Sequence, residues 1–390
     1  MKRRNFLQLT ATSFGGYILL PEFLRASSSL LEGSKLVSDN VLLFIQLNGG
    51  NDGLNTFIPY ANNLYYANRP SIGIKKDAVI NPIAGLGFHP ALKDLATISQ
   101  NGHLSIIQNV GYPNPNRSHF RSQEIWQTAT DSDKYASLGW LGRFLDIQCN
   151  DQSLASLNID GIDNLALKSE SVTGITIKDF DRIKQFHSNN ESLKFSANPQ
   201  LDFVRKIAYA SGEGMEEIAK VLSNTNKTDE PYANNPWAKN LSWMAKLIKG
   251  NLASKIYYTS LSGFDTHNNQ LQSHQRQLTI LNDAIFSFYN DMKKHGLLNK
   301  VTLVVFSEFG RRVQENGSGT DHGTAGPMMI IGGNNKGKVI GNNPNLETLN
   351  KGDLIHEIDF RSVYATLLKQ KFNFDAQQIG ITQNALNSLF

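Results

Sequence analysis

Short, almost continuous apolar segments recur along the chain, each bounded by glycine or polar residues. The first covers residues 41–47 and is closed by the glycine-rich stretch 48–53. An apolar run of this length is typical of a strand that is buried on both faces of a parallel sheet. Further segments of this type cover residues 103–110, 255–261, 301–306 and 327–331. The pattern therefore predicts a central sheet of parallel strands.

Helical periodicity fills the intervals between these segments. Apolar residues recur at helical spacing in residues 90–99, 120–128, 201–222, 237–248, 270–294 and 361–369. Strands that alternate with helices predict an α/β fold, with a mostly parallel sheet covered by helices on both faces. Between residues 151 and 194 the pattern weakens into short strand-like pieces such as 172–177. We interpret that region as a lobe inserted into the same domain.

The composition excludes some classes of function. The chain has 390 residues, of which 40% are hydrophobic and 18% charged, as in ordinary globular proteins. Its formal net charge is only +4 and its basic residues form no dense cluster, so we expect no nucleic-acid partner. Cys149 is the single cysteine, so an exported form has no intramolecular disulfide and must rest on its core or on a metal.

The N-terminus resembles a twin-arginine export signal. Arg3 and Arg4 precede an aromatic residue and a leucine, and a weakly apolar stretch follows at residues 9–20. This stretch is shorter than the roughly 20 residues of a membrane-spanning helix, which predicts no permanent membrane anchor. We therefore expect a signal at residues 1–30, the twin-arginine machinery as a partner, a mature domain at 31–390, and a periplasmic or extracellular location in a bacterium.

Two polar loops are candidates for chemistry because they follow predicted strands, where ligands bind in open α/β sheets. Asp52 follows the first strand among glycines, and its alternative role is that of an ordinary turn aspartate. Ser118 stands beside Arg117 at the predicted start of a helix. Its hydroxyl is placed to cap the helix, which the local pattern favours, or to act as a nucleophile near the positive helix end.

A third loop contains Asp265 and His267, two residues apart after a predicted strand. A carboxylate and an imidazole at this spacing suit zinc or a similar cation, and an exposed turn is the alternative. His322 lies in a glycine-bracketed loop before the last predicted strand. Three such ligands leave an open position on zinc, whereas a fourth ligand, Asp321 or Asp52, would close the site.

Glu308 leaves the end of a very apolar predicted strand. A carboxylate buried at such a position needs a cation or a donor facing it. A metal ion is one partner for it, and a plain salt bridge to Arg311 is the other. Arg312, together with Arg117, is a candidate for holding a substrate anion.

With these residues assembled, the chain resembles the domain-of-unknown-function 1501 (DUF1501) family, and through it the alkaline phosphatase and sulfatase superfamily. The matching stretches, in chain order, are QLNGGNDGLNTFIPY, NRSHFRSQEIWQT, SGFDTHNNQ, FSEFGRR, TDHGTAGPMMIIGG and DFRSVYATLL. The resemblance implies an alkaline-phosphatase-like fold with two metal sites. It implies Asp52 and Ser118 for one ion, and Asp265, His267 and His322 for the other.

The chain departs from the superfamily pattern at one strand end, where Glu308-Phe309 replaces an Asp-His pair. A carboxylate remains, but an imidazole is lost unless His119 or His274 supplies it. The resemblance implies one or two divalent ions, zinc or alternatively manganese or calcium. It also implies hydrolysis of a small anionic phosphate or sulfate ester by attack of Ser118. The alternative is a non-catalytic binding or assembly protein of the cell envelope, which the missing imidazole favours.

Overall fold

The computed structural model describes residues 38–83, 85–149, 154–171, 174–178, 199–224, 230–387 and 389–390. The predicted export signal lies outside these residues. The strands are β1 (Val41–Asn48), β2 (Phe57–Ile58), β3 (Ile80–Ile83), β4 (Leu86–Phe88), β5 (Leu104–Gly111), β6 (Ser156–Ile159), β7 (Gly174–Ile177), β8 (Ile256–Ser262), β9 (Val301–Ser307), β10 (Gly326–Gly332), β11 (Val339–Ile340) and β12 (Ile358–Asp359). The helices are α1 (Gly53–Thr56), α2 (Asn63–Asn68), α3 (Lys93–Gln100), α4 (His119–Thr128), α5 (Trp140–Gln148), α6 (Pro199–Asn224), α7 (Pro236–Lys249), α8 (Gln270–Lys294) and α9 (Phe360–Phe372).

A nine-stranded sheet forms the centre of the described chain, in the order β11-β5-β10-β9-β1-β8-β6-β7, with β12 also paired to β5. In its middle, β1 pairs in parallel with β8 and β9. The pairs of β5 with β11 and β12, and of β6 with β7 and β8, are parallel as well. The prediction of a mostly parallel sheet is confirmed.

The prediction that residues 327–331 form a parallel strand is wrong. This segment lies in β10, which runs antiparallel to both of its neighbours, β9 and β5. A parallel strand needs a crossover connection, usually a helix, to bring the chain back to the starting edge. The connection between β9 and β10 contains no helix, so the chain re-enters the sheet from the edge at which β9 ended.

Helices cover both faces of the sheet. Leu43 and Ile45 of β1 pack on the face occupied by α3, α7 and α8, and Leu42 and Phe44 pack on the face occupied by α4, α5 and α9. Because successive side chains of a strand point to opposite faces, one strand contributes to two cores and must be apolar throughout. The predicted α/β fold with helices on both faces is confirmed.

The helices and strands named from periodicity are found with ends shifted by a few residues, and α8 matches its predicted range 270–294. From the region 151–194, β6 and β7 extend the central sheet beyond β8. Residues 179–198 lie outside the described chain, so the inserted lobe stays a prediction. A small sheet of order β2-β4-β3 was not predicted. Among the described helices, none combines the length and apolarity of a membrane span.

Candidate metal centre

The polar loops meet at one edge of the central sheet because of the strand directions. The carboxyl ends of β1, β8 and β9 lie at the same edge, since these strands are parallel. The loop with Asp265 follows β8, and Glu308 follows β9. His322 comes before β10, and because β10 is antiparallel, its amino end lies at that same edge. The antiparallel strand therefore brings His322 to the loops that follow the parallel strands.

Asp265, His267 and His322, which the sequence predicts to be metal ligands, lie within contact distance of one another. Oδ1 of Asp265 is 3.1 Å from Nε2 of His267 and 3.3 Å from Nε2 of His322. The two Nε2 atoms are 2.9 Å apart. His119 joins them, with Nε2 3.5 Å from Oδ2 of Asp265. His119, Asp265 and His322 form a group whose ligand atoms all lie within 4.8 Å of one another.

The Nδ1 atom of each of these histidines lies at hydrogen-bond distance from a carboxylate or carbonyl oxygen. Such an oxygen accepts hydrogen bonds and cannot donate them. Nδ1 of His119 donates to Glu308 at 2.8 Å, and Nδ1 of His267 donates to Asp321 at 3.0 Å. Nδ1 of His322 donates to the carbonyl of Arg117 at 2.8 Å. In their neutral form all three rings then carry the lone pair on Nε2, which is the arrangement of metal-binding histidines supported by a carboxylate or carbonyl.

These lone pairs face one another without a donor between them. Nε2 of His119 is buried and has no hydrogen-bond partner in the described chain. Nε2 of His267 and Nε2 of His322 approach to 2.9 Å, and two lone pairs at that distance repel unless a cation lies between them. The residues therefore fit a metal ion better than they fit one another.

Glu308 is fully buried and lies behind His119 rather than among the converging atoms. Its Oε1 accepts from Nδ1 of His119 at 2.8 Å and from the backbone N–H of Gly49 at 2.9 Å. Its Oε2 accepts from the Ser307 hydroxyl at 3.0 Å. The hydrogen bond to Glu308 raises the pKa of His119 above its ordinary value, against the opposing effect of burial. Glu308 is placed to orient a histidine.

The salt bridge to Arg311, which was the alternative to a metal ion for Glu308, is not formed. Arg311 is buried, and its guanidinium donates to Asp265 at 2.6 Å and to the carbonyls of Gly50 and Thr320, each at 2.8 Å. Partial burial alone would raise the pKa of Asp265, but the bond to Arg311 and its charge hold that pKa below the ordinary value. Arg311 thereby links the loops after β1 and β8 to the loop before β10. The strand order alone only brings these three loops close together.

The imidazole of His119 lies beside Phe309. The two rings are in contact, with centroids 4.9 Å apart, and the Phe309 ring also packs against His322 at 4.8 Å. His274, the other candidate, is buried away from these atoms, and its Nε2 donates to Asn51 at 2.9 Å. Burial lowers the pKa of His274 to about 3, so this ring is neutral.

Gly49 and Gly50 allow this close approach. Their φ angles are +119° and +78°, which residues with a Cβ rarely adopt. A Cβ on Gly49 would lie 2.3 Å from the backbone nitrogen of Asp265, and one on Gly50 would lie 2.3 Å from the ring of Phe309. The glycine loop therefore determines how near the Asp265 loop and Phe309 pack to β1.

Asp52 lies apart from the histidines. It is fully buried, and its Oδ2 forms an ion pair with Arg69 at 2.6 Å. Its Oδ1 accepts from the backbone N–H groups of Leu54 and Asn55, which caps α1. Burial alone would raise the pKa of Asp52, but the charge of Arg69 holds it below the ordinary value.

Ser118 is the N-cap residue of α4, yet its side chain makes no capping hydrogen bond, so the local preference for a capping role is wrong. The side chain of Asn116 accepts the Ser118 backbone N–H instead, at 2.8 Å. Ser118 is exposed and stands between Arg117, whose carbonyl holds His322, and His119. Within the described residues its hydroxyl makes no capping bond, and it lies next to His119 in the sequence.

Arg117 and Arg312, the candidates for anion binding, both form ion pairs with Asp353. Asp353 is buried, while the two arginine side chains are 40% and 35% exposed. One carboxylate thus holds two guanidinium groups, and the cluster keeps a net positive charge.

Asp353 has no distinctive motif in the sequence, and neither has Arg69, so both of these partners were missed. Asp321 was named only as a possible fourth ligand, and the structure places it behind His267.

Comparison with known families decides where the chain belongs. Residues 105–381 match the model described as "Protein of unknown function (DUF1501)", which is well over half of the sequence. The chain belongs to the DUF1501 family. The family resemblance seen in the sequence is thereby confirmed. No curated protein matches this DUF1501 chain.

Some solved structures are similar to this DUF1501 protein, at low identity and low TM-score. A protein in the alkaline phosphatase superfamily from Vibrio parahaemolyticus is 9% identical, with a TM-score of 0.38, over 90% of this chain and 74% of that one. The phosphonate monoester hydrolase SpPMH from Silicibacter pomeroyi is 9% identical, with a TM-score of 0.40, over 89% and 76%. The PsFucS1 sulfatase from Pseudoalteromonas sp. is 10% identical, with a TM-score of 0.38, over 96% and 78%. At TM-scores below 0.5, these likenesses carry no argument about activity.

Proposed function

We propose that this DUF1501 protein is a metal-dependent hydrolase of phosphate or sulfate esters that uses Ser118 as its nucleophile. The observation that carries the proposal is the convergence of histidine Nε2 atoms on the Asp265 carboxylate, with the exposed Ser118 adjacent to His119 at a helix start. Each histidine is oriented through its other nitrogen, as metal-binding histidines are. Side chains oriented in this way are suited to binding a cation.

The spacing of the ligand atoms suits a small divalent ion. Zinc binds histidine and carboxylate at about 2.0–2.2 Å in tetrahedral geometry, which places neighbouring ligand atoms about 3.3 Å apart. Nε2 of His267 is 2.9 Å from Nε2 of His322, Oδ1 of Asp265 is 3.1 and 3.3 Å from these two atoms, and Oδ2 of Asp265 is 3.5 Å from Nε2 of His119. We therefore propose zinc, with manganese or calcium as alternatives, bound by these side chains.

The ion would remain open to a substrate. The side chains of Asp265 and His267 are 48% and 42% exposed, so one side of the group faces solvent. A zinc ion with four protein ligands can take a fifth during reaction. An ester oxygen arriving from the solvent side would occupy that position.

In the proposed reaction, Ser118 attacks the phosphorus or sulfur of the ester. As its Oγ forms the new bond, the bond to the alcohol breaks; the serine proton passes to solvent, and the alkoxide takes a proton from water. Water then displaces the serine from phosphorus or sulfur, releasing the inorganic anion and restoring the hydroxyl. The positive end of α4 favours the ionised serine. A bound divalent ion supplies a lower pKa for the attacking hydroxyl and screens developing charge.

Arg117 and Arg312 support an anionic substrate. Each guanidinium has five N–H donors, and in the described chain neither uses all of them on Asp353 and the backbone. Because Asp353 is buried and fixed, it holds both groups in place beside the Ser118 loop. Two arginines that share one carboxylate keep an excess positive charge for a phosphate or sulfate group.

The case for a non-catalytic relative rested on the imidazole missing at Phe309. His119 supplies an imidazole in contact with that ring, so the observation that favoured the alternative no longer does so. We propose the enzyme and not the binding protein.

The enzymatic proposal is tested with aryl phosphates and aryl sulfates in the presence of zinc, manganese or calcium. We expect turnover that Ser118→Ala abolishes, with the melting temperature unchanged because the serine makes no capping bond. His322→Ala should lower metal content and melting temperature together, since an ion bound to the native state stabilises it by mass action. A protein that retains no ion, and whose melting temperature no ion changes, would refute the metal site and the mechanism.

We also propose export by the twin-arginine route to the periplasm or the extracellular space. The supporting features are Arg3, Arg4 and the apolar stretch after them, which lie outside the described residues. Replacing both arginines with lysine should retain the protein in the cytoplasm, because the pathway reads the arginine pair. Fractionation of cells that express the wild type and the variant measures this, and an equal exported yield would contradict it.

A further inference from the structure

The resemblance to the alkaline phosphatase superfamily implies a second metal ion held by Asp52. The acceptor positions of Asp52 are already filled. Oδ1 accepts from the backbone N–H of Leu54 at 3.1 Å and of Asn55 at 3.2 Å, and Oδ2 accepts from Arg69 and Gln270. A carboxylate has about four acceptor sites on its two oxygens, so none is left for a metal.

Arg69 occupies the space in front of that carboxylate. It is 1% exposed and among the largest fully buried side chains of the described chain. Its guanidinium donates to Asp52 at 2.6 Å, to Asn55 at 2.7 Å, and to the carbonyls of Val313 and Arg312 at 2.9 and 2.8 Å. A side chain held by this many bonds cannot move aside at small cost.

The same buried set reaches the loops of the metal centre. Gln270 donates to Asp52 with its amide nitrogen, and its oxygen accepts from the hydroxyls of Thr266 and Thr320 at 3.2 and 2.7 Å. Thr266 stands between Asp265 and His267, and Thr320 precedes Asp321. The backbone N–H of Thr320 also donates to the carbonyl of Thr266 at 3.2 Å. Asp52 therefore connects to the ligand loops through Gln270 and does not reach the ligands themselves.

From these contacts we infer that the centre holds a single metal ion, and that the Arg69 guanidinium permanently supplies to Asp52 the positive charge that a second ion would supply. Asp52 is then a structural residue, linked to the ligand loops through Gln270 but not itself a ligand. This inference rests on the proposed function for the first ion. It differs from what the resemblance to the superfamily implies, because the residues around Asp52 do not fit a second ion.

The number of bound ions per chain can be measured on the wild-type protein, without any variant. The full mature chain, freed of metal and titrated with zinc or with manganese, should retain one ion per chain after gel filtration. With manganese, the electron paramagnetic resonance spectrum should be that of an isolated ion, since paired ions about 3.5–4 Å apart couple. Two retained ions, or a coupled manganese spectrum, would overturn the inference.

A matched pair of variants tests the role of Asp52. Asp265→Asn and Asp52→Asn both replace a carboxylate with an amide of the same shape. Asp265→Asn should weaken zinc binding by more than 10-fold, whereas Asp52→Asn should leave zinc affinity within about 3-fold and lower the melting temperature, because Arg69 loses its buried counter-charge. Loss of zinc binding in a folded Asp52→Asn protein would overturn the inference. Absence of zinc from the wild type would instead overturn the proposed function.

Discussion

Glu308 offers the sharpest test of how the centre is built, because it orients a ligand without reaching the other converging atoms. In Glu308→Gln the amide oxygen still accepts from His119 and Gly49. The new NH2 group faces the Ser307 hydroxyl, which no longer has an acceptor at position 308 but can direct its hydrogen to the carbonyl of Leu47 and accept from the new amide. The substitution therefore removes a charge and keeps the shape.

The expected loss follows from the position of Glu308 behind the ligand. Removing a partner that supports a metal-binding histidine typically costs 10- to 100-fold in metal affinity. Because the amide keeps the hydrogen bond, we expect the lower end for Glu308→Gln, about 10-fold, or about 1.4 kcal/mol. The metal-free protein should unfold at nearly the wild-type temperature. Glu308→Ala should also destabilise the metal-free fold by about 1–3 kcal/mol, since the buried N–H of Gly49 loses its acceptor.

Zinc affinity is measured by calorimetric titration, and stability by denaturant unfolding in chelator. Glu315→Gln is the matched control, because Glu315 also accepts backbone N–H bonds, from Ser71 and Ile72, but has no histidine partner among the described residues. It should leave zinc affinity unchanged. If Glu308→Gln binds zinc as tightly as the wild type while Glu308→Ala loses stability, Glu308 is a purely structural acceptor, and our account of His119 is refuted.

Two further predictions concern the buried surroundings of the centre. Burial lowers the pKa of His274 to about 3 and that of His89 to about 4, so the unfolded chain takes up protons first as pH falls below 6.5. Each of these two histidines should therefore lower the free energy of unfolding by about 2 kcal/mol between pH 7 and pH 5. In urea titrations, His274→Gln should remove about half of their combined effect. A pH dependence equal to that of the wild type would contradict the conclusion that His274 is buried as a neutral ring. Gly50→Ala places a methyl group against Phe309 at positive φ, and should cost about 1–3 kcal/mol by the same assay. A Gly50→Ala variant as stable as the wild type would contradict this prediction, because it would show that the loop moves to make room for the methyl group.

Much of the fold follows from local patterns. The apolar run in β1 predicts burial on both faces, and the periodicity of α8 predicts a long amphipathic helix, because each pattern is set by neighbours along the chain. The direction of β10 does not follow, since it depends on a connection whose loop carries no helix. Three of the side chains that we propose as ligands, Asp265, His267 and His322, were also predicted from residue type and spacing.

The partners of the buried charges were settled only by the tertiary structure. Glu308 and Asp52 look alike in the sequence, as carboxylates after apolar strands, yet one supports His119 and the other pairs with Arg69. The partner of each buried carboxylate depends on which loops lie together at the edge of the sheet, where strands from distant parts of the chain end. A buried charge costs free energy until a partner faces it, so the fold must provide one, but residue type and spacing do not reveal which. The sequence alone therefore determined the kinds of element and the candidate ligands, and the packing of the loops determined their roles.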